Sequence, residues 1–284
     1  MAPSCWLCLY ANNVLTTPRP SPRRPASAAS RTPWGWAVSG VLLGTSVAVL
    51  AFAPAYWLGW GLAQISEQRL QLLQPRGTVW NGSAQLVLTG GGASQDRASL
   101  PGRVSWKMQL SWDGLHAQIH AACCTTAPLA VQVQPQRQGV SVALADGTSQ
   151  WPAALLAGLG TPWNTVQLQG QLALSTQNLQ AQWAAGRLRL HGQVQLDALA
   201  LSSRLSTLHP LGSYRITVQG GDVPGLSVQT LQGELQLSGT GQWVGQRLRF
   251  TGQASASPGR EAALSNFLNL LGRRRGASAL ITLG

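Results

Sequence analysis

The stretch from Trp34 to Trp60, WGWAVSGVLLGTSVAVLAFAPAYWLGW, contains no charged residue, and its middle from Ala37 to Ala53 is almost wholly apolar. A bilayer core roughly 30 Å thick is crossed by about 20 helical residues, because a helix satisfies all its backbone polar groups within the segment. Trp36 and Trp57 are about 31 Å apart along a helix rising 1.5 Å per residue. Trp34/Trp36 and Tyr56/Trp57/Trp60 then fall where interfacial aromatics belong, one group at each surface. A buried helix of a soluble domain rarely runs this far without a charge on its exposed face. The pattern predicts one transmembrane helix over residues 34–62.

Charge sets its direction. Arg19, Arg23, Arg24 and Arg31 precede the span with no acid among them, whereas the other flank opens with Glu67, Arg69 and Arg76. The positive-inside rule leaves the N-terminus in the cytoplasm and carries everything after Gln64 across the membrane. Ala51-Phe52-Ala53 has the look of a signal-peptide cleavage site. The apolar run is too long and starts too late for that reading, so an uncleaved anchor is expected. Residues 1–33, with PRPSPRRPASAAS at their heart, cannot bury enough apolar surface to fold alone and read as a disordered basic, Pro-rich leader. Residues 63–284 form the third region.

From Gly77 onward the apolar period is two, the period of a strand. Val104, Trp106, Met108, Leu110 and Trp112 alternate with Ser105, Lys107, Gln109 and Ser111, and Arg187 to Asp197 alternates likewise. Similar runs occur at Leu129–Val133, Val140–Leu144, Val166–Leu174, Tyr214–Val218, Leu226–Val228 and Leu248–Ala254. Clean alternation implies one buried and one wet face, which is the signature of antiparallel sheet. Turn pairs such as Pro101-Gly102, Asp113-Gly114, Asp146-Gly147 and Gly220-Gly221 punctuate the runs. A cassette recurs at irregular spacing, as Gly82-Ser-Ala-Gln-Leu86, Gly170-Gln-Leu-Ala-Leu174, Gly192-Gln-Val-Gln-Leu196 and Gly233-Glu-Leu-Gln-Leu237. It fits meandering strands with Gly at a bend or close approach. Helices are expected at Trp151–Gly160 and at Arg260–Gly272, where Leu264, Phe267, Leu268 and Leu271 make an i, i+3, i+4, i+7 stripe. Ala279–Leu283 is expected to return as a last strand. The fold class is mainly β: an antiparallel domain (sandwich, partial barrel or groove) with two short helices, preceded by a single N-terminal transmembrane helix.

The formal charge of +12 suggests nucleic acid, but four of the arginines belong to the leader. The rest of the chain carries a net +8 thinly spread, dense only at Arg273-Arg274-Arg275, and no nucleic-acid-binding signature accompanies it. Charged residues are only 10% of the chain, so Gln, Ser, Thr and Gly must supply the polar surface. Such a surface suits packing against other proteins.

Chemistry is hard to find. Cys5-x-x-Cys8 lacks a second ligand pair, and it is separated by the span from Cys123-Cys124, whose adjacency favours free thiols or one Cys packed inward. His116, His120 and Cys124 share strand parity and are the best metal candidates, yet no carboxylate joins them. His191 and His209 stand alone. Asp96, Asp113, Asp146 and Asp222 sit in turn contexts, and Asn81-Gly82-Ser83 reads as a turn rather than a glycosylation site. Gly90-Gly91-Gly92 lacks the Lys and helix of a phosphate loop. No catalytic, cofactor-binding or metal-binding residue is assigned, and no cofactor is expected.

Two stretches resemble a known family. Arg76-GTVWNGSAQL-Val87, shortly after the span, looks like the entry strand of the N component of the bacterial type II (general) secretion pathway. The tail, Ala254-SASPGREAALSNFLNLLGRRRGASALITLG, resembles the end of the same family. The resemblance covers roughly Trp34 to Gly284. It implies a non-enzymatic accessory subunit of the inner membrane, with its C-terminal domain periplasmic, in a machine that exports folded proteins across the outer membrane. The partners implied are other subunits of that machinery and, through the span, membrane lipid; no nucleic acid or small-molecule substrate is expected. Two other readings compete with it. An envelope lipid-binding or lipid-transfer protein would use an apolar β groove, and an envelope hydrolase would need a site that the sequence lacks.

Overall fold

The computed structural model of the protein describes residues 34–184, 187–245 and 247–284. The leader, its arginines and Cys5-x-x-Cys8 lie outside the described residues. Chain contacts divide the protein between Ser46 and Val47, inside the first helix.

The uncharged stretch forms two helices, α1 (Trp34–Ala51) and α2 (Ala55–Ile65), rather than one. Pro54 separates them. Its ring restricts the residue before it and it offers no N–H, so a helix stops ahead of it and a new one starts after it. α1 has 18 residues, none of them buried, and is long and apolar enough to cross a membrane. α2 has one buried edge, Ala55 and Gly59.

The strands follow as β1 (Leu70–Gly77), β2 (Asn81–Thr89), β3 (Arg97–Ser99), β4 (Val104–Ser111), β5 (Gly114–Ala121), β6 (Leu129–Gln136), β7 (Gly139–Leu144) and β8 (Gly147–Pro152). A 3-10 helix, Ala153–Leu159, and the single turn α3 (Trp163–Val166) come next. The second half holds β9 (Gln169–Ala184), β10 (Arg187–Ser202), β11 (Gly212–Gly221), β12 (Gly225–Gly233), β13 (Leu235–Val244) and β14 (Arg247–Ala256). The chain ends with α4 (Glu261–Leu271), β15 (Arg273–Arg275) and β16 (Ser278–Leu283). Among the described residues the strands form one antiparallel sheet, ordered β1-β2-β4-β5-β6-β7-β9-β10-β11-β12-β13-β14-β16-β15, with β3 beside β2 and β8 beside β9. β1 and β15 are opposite edges, so the sheet is open and is neither a sandwich nor a closed barrel.

Register puts the apolar residues of every strand on one face. Leu110 pairs with Leu115, Leu115 with Val133, Val133 with Val142, Val142 with Ala181, and Ala181 with Leu190. Leu196 pairs with Ile216 and Ile216 with Val228. The opposite face is Gln, Ser and Thr, with Arg215 and Asp197 among them.

The core lies at one end of this apolar face. The 3-10 helix, α3, the 203–211 loop and α4 pack there, with Leu211, Leu235, Leu264 and Leu268 at most 1% exposed. A second cluster joins Leu100, Val104, Ala121, Cys124 and Leu155. A third places Ala55 of α2 on Ala84 and Trp106. The expected α4 stripe is the buried one, and the helix ends at Gly272 as expected. The other expected helix differs in part: Trp151 and Pro152 finish β8, and the rest is 3-10.

Candidate functional site

The described residues combine three surfaces that could carry function: the junction between the end of α1 and the sheet, the uncovered part of the apolar face, and the polar face with its edges.

The junction is built by Gly77-Thr-Val-Trp80-Asn-Gly82. Thr78 and Asn81 close the turn between β1 and β2, the Thr78 N–H donating to the Asn81 carbonyl at 2.9 Å. Gly77 has φ +87°, a left-handed conformation that suits Gly. Gly82 leaves room for the Trp106 ring; a Cβ would come within 2.7 Å of it. The Trp106 indole N–H donates to the Val79 carbonyl at 3.0 Å. The Trp80 indole N–H donates to the Leu50 carbonyl at 2.8 Å, and the Val79 N–H to Ala53 at 2.9 Å. Those carbonyls belong to the last turn of α1 and the residues just after it, where the regular i to i+4 donors run out and Leu50 has only a long local bond from the Ala53 N–H at 3.4 Å. The hairpin thus caps the C-terminal end of α1. From there α2 runs back along β1, with Gly59 against Leu72 and the Thr89 hydroxyl meeting the Gln68 carbonyl at the far end. Trp57 and Trp60 consequently lie on a helix that packs on the sheet, not at the far end of one continuous span.

The apolar face loses its cover toward the hairpin ends. Along β4 exposure runs from Val104 at 8% and Trp106 at 4% to Leu110 at 74%. Val140, Val142, Trp183 and Leu188 continue the exposed part across β7, β9 and β10. The helices and loops of the core occupy the opposite strand ends.

On the polar face Arg215 donates two hydrogen bonds to Asp197, both 2.8 Å, across β10 and β11. The guanidinium holds the Asp197 carboxyl below its ordinary value, against the opposing pull of desolvation. Alternation on a wet face gave no hint of this pair. Both edges of the sheet are blunted. β1 carries Pro75 and a register shift between Leu73 and Arg76, and β15 is three exposed arginines. Pro, bulges and charge on a short edge strand all oppose pairing with another chain.

The residues singled out for metal chemistry do not converge. His116 pairs with Asp113 at 3.1 Å on an exposed turn, where that hydrogen bond lowers the Asp113 pKa. The His120 Nδ1 meets the Thr125 hydroxyl at 3.0 Å. Cys124 is buried in the second cluster and, contrary to the expected free thiols, is disulfide-bonded to Cys123. Among the described residues no three His, Cys, Asp or Glu side chains group to hold a metal. The other acids serve turns: Asp96 accepts from Asn164 of α3 at 2.9 Å, and Asp146 accepts from the Asn178 N–H. Asn81-Gly82-Ser83 forms the hairpin turn and β2 start.

These features define a class: an open, one-sheet β protein whose first hairpin holds the end of an apolar N-terminal helix. Residues 68–281 match the family described as Type II secretion system (T2SS), protein N. The chain belongs to that family. No curated protein and no solved structure matches it.

Proposed function

We propose that the protein is a non-enzymatic accessory or assembly subunit of the type II secretion system, anchored in the inner membrane by α1 with residues 63–284 in the periplasm. The observation that carries this reading is the joining of the family match, residues 68–281, to an upstream helix that is uncharged, predominantly apolar and unburied. Its mechanism is binding. The anchor fixes position, and the Gln/Ser/Thr face presents a broad neutral surface to other subunits of the machine. Because both edges are blunted, strand addition is the less favoured docking mode, and the polar face takes that role. Residues 1–33 serve as the cytoplasmic leader. Affinity purification of the tagged full chain from membranes should recover other secretion subunits. Recovery of none, together with unchanged secretion after deletion, overturns the reading.

A second reading has an observation of its own. The partly bare apolar face of an open sheet is the form a lipid-holding groove takes, so an envelope lipid-binding role is the alternative. Extracted full-length protein retaining stoichiometric phospholipid after extensive washing supports it.

A further inference from the structure

We infer that the hairpin ends of β4–β5 and β6–β7, with the neighbouring stretch of β9 and β10 at Trp183 and Leu188, rest on the periplasmic surface of the membrane, so that phospholipid covers the bare end of the apolar face. The inference rests on α1 being the membrane anchor, and it adds which part of the β domain touches the bilayer.

Two placements carry it. The hydrogen bonds from Trp80 to Leu50 and from Val79 to Ala53 hold the β1–β2 turn against the last turn of α1. That turn lies at the level of Met108, whose N–H donates to the Trp80 carbonyl. β4 continues past this level through Leu110 to Trp112, which is fully exposed. The strand end that reaches beyond the anchor junction is therefore the one that is apolar and uncovered. Antiparallel pairing carries the same end across the sheet. Pro135 pairs with Val140, Val140 with Trp183, and Trp183 with Leu188. Apart from α2, which packs Ala55 and Leu58 with Trp106 and Met108 beside the junction, the covering helices and loops gather at the other end.

The surface has interfacial chemistry. Trp112 and Trp183 offer amphipathic rings of the kind enriched at headgroup level, with aliphatic side chains between them. Arg137, exposed at the β6–β7 turn, suits phosphate oxygens. Asp113 is the opposing charge at the β4–β5 turn, and it is engaged by His116 and by the Gln132 amide at 2.9 Å. In water an exposed apolar patch of this extent is unfavourable, and a membrane whose surface is already close removes that cost without a second protein.

The test uses the full chain in nanodiscs of phosphatidylethanolamine and phosphatidylglycerol, in a Cys5→Ser, Cys8→Ser background. Single spin labels go in at Trp112→Cys, at Arg204→Cys in the 203–211 loop, and at Leu43→Cys within α1. The label at 112 should be several-fold less accessible to a water-soluble nickel chelate than the label at 204, and more accessible to oxygen. Water-like accessibility at 112 with lipid-like accessibility at 43 overturns the inference while the anchor stands. Water-like accessibility at 43 removes the anchor and the inference together. Dipolar broadening between two labels at 112 means a second copy covers the face, which also overturns it. A Trp112→Cys protein that loses its structure is replaced by Leu110→Cys, judged by the same outcomes.

Discussion

Asp197 and Arg215 make the one two-point ion pair of the described residues, with side chains 18% and 34% exposed. Partial exposure screens it, so its removal by Asp197→Asn should cost about 0.5–1 kcal/mol in chemical denaturation. The sign with pH follows from the lowered Asp197 pKa. Its stabilisation is complete above the ordinary carboxylate range near 4 and is lost as pH falls through the lower folded value. The wild-type advantage over the Asn variant should therefore vanish on acidification below about pH 4. An advantage that instead grows in acid contradicts the assignment. Tyr214 gives the opposite kind of test. Its hydroxyl is buried without a hydrogen-bond partner among the described residues, and burial pushes its pKa upward. Tyr214→Phe should stabilise the fold by about 1 kcal/mol, seen as a raised denaturation midpoint, because an unsatisfied buried group is removed. At this scale the sequence was only partly legible. Neither residue broke the alternation of its strand, so nothing marked Asp197 apart from its Gln neighbours. Of Cys123 and Cys124, one is packed inward as the sequence allows, but the bond between them is not readable from two adjacent letters, whose closeness suggests strain.

Among the elements α4 is the clearest in the sequence, since its apolar stripe and Gly stop agree, and three of its four stripe residues, Leu264, Phe267 and Leu268, are buried, with Leu271 partly so. Leu268→Ala should cost about 2–5 kcal/mol by thermal or chemical unfolding, as for a fully buried Leu. A loss under about 1 kcal/mol would mean that α4 does not pack on the sheet. β9 and β10 were under-read, each running 16 residues. Their register shifts near Gln177 and Gly192, where Asn178 has φ +47° and Gly192 φ +84°. The extra residue lies on β9 and resets its apolar parity, so β9 looks like two shorter strands, while the β10 alternation runs on through Gly192. The cassette Gly at 192 marks that bulge; a Cβ there would lie 2.2 Å from the Asn178 carbonyl oxygen. Pro54 had the reverse effect on the uncharged N-terminal stretch. The absence of charge ran on past it, while the helix could not, and the second segment turned back along β1.

For the whole molecule, period two and turn spacing were enough to specify a meandering antiparallel sheet with one apolar face. They could not decide between sandwich, barrel and groove, because closure depends on how the two edges end. Pro75 and the bulge at one edge, and Arg273–Arg275 at the other, leave the sheet open. The stretch Arg76–Val87 and the tail from Ala254 carried the resemblance to the family, and the structure gives the first a physical role, because Trp80 and Val79 hold the end of α1. Openness also sharpens the two functional readings, since the polar face serves a subunit and the apolar face serves a lipid carrier. Native mass spectrometry of the full chain released from membranes separates them directly. The expected spectrum contains the chain bound to other secretion subunits, in complexes that persist when phospholipid is stripped. The chain alone, holding stoichiometric phospholipid and no other protein, contradicts the account.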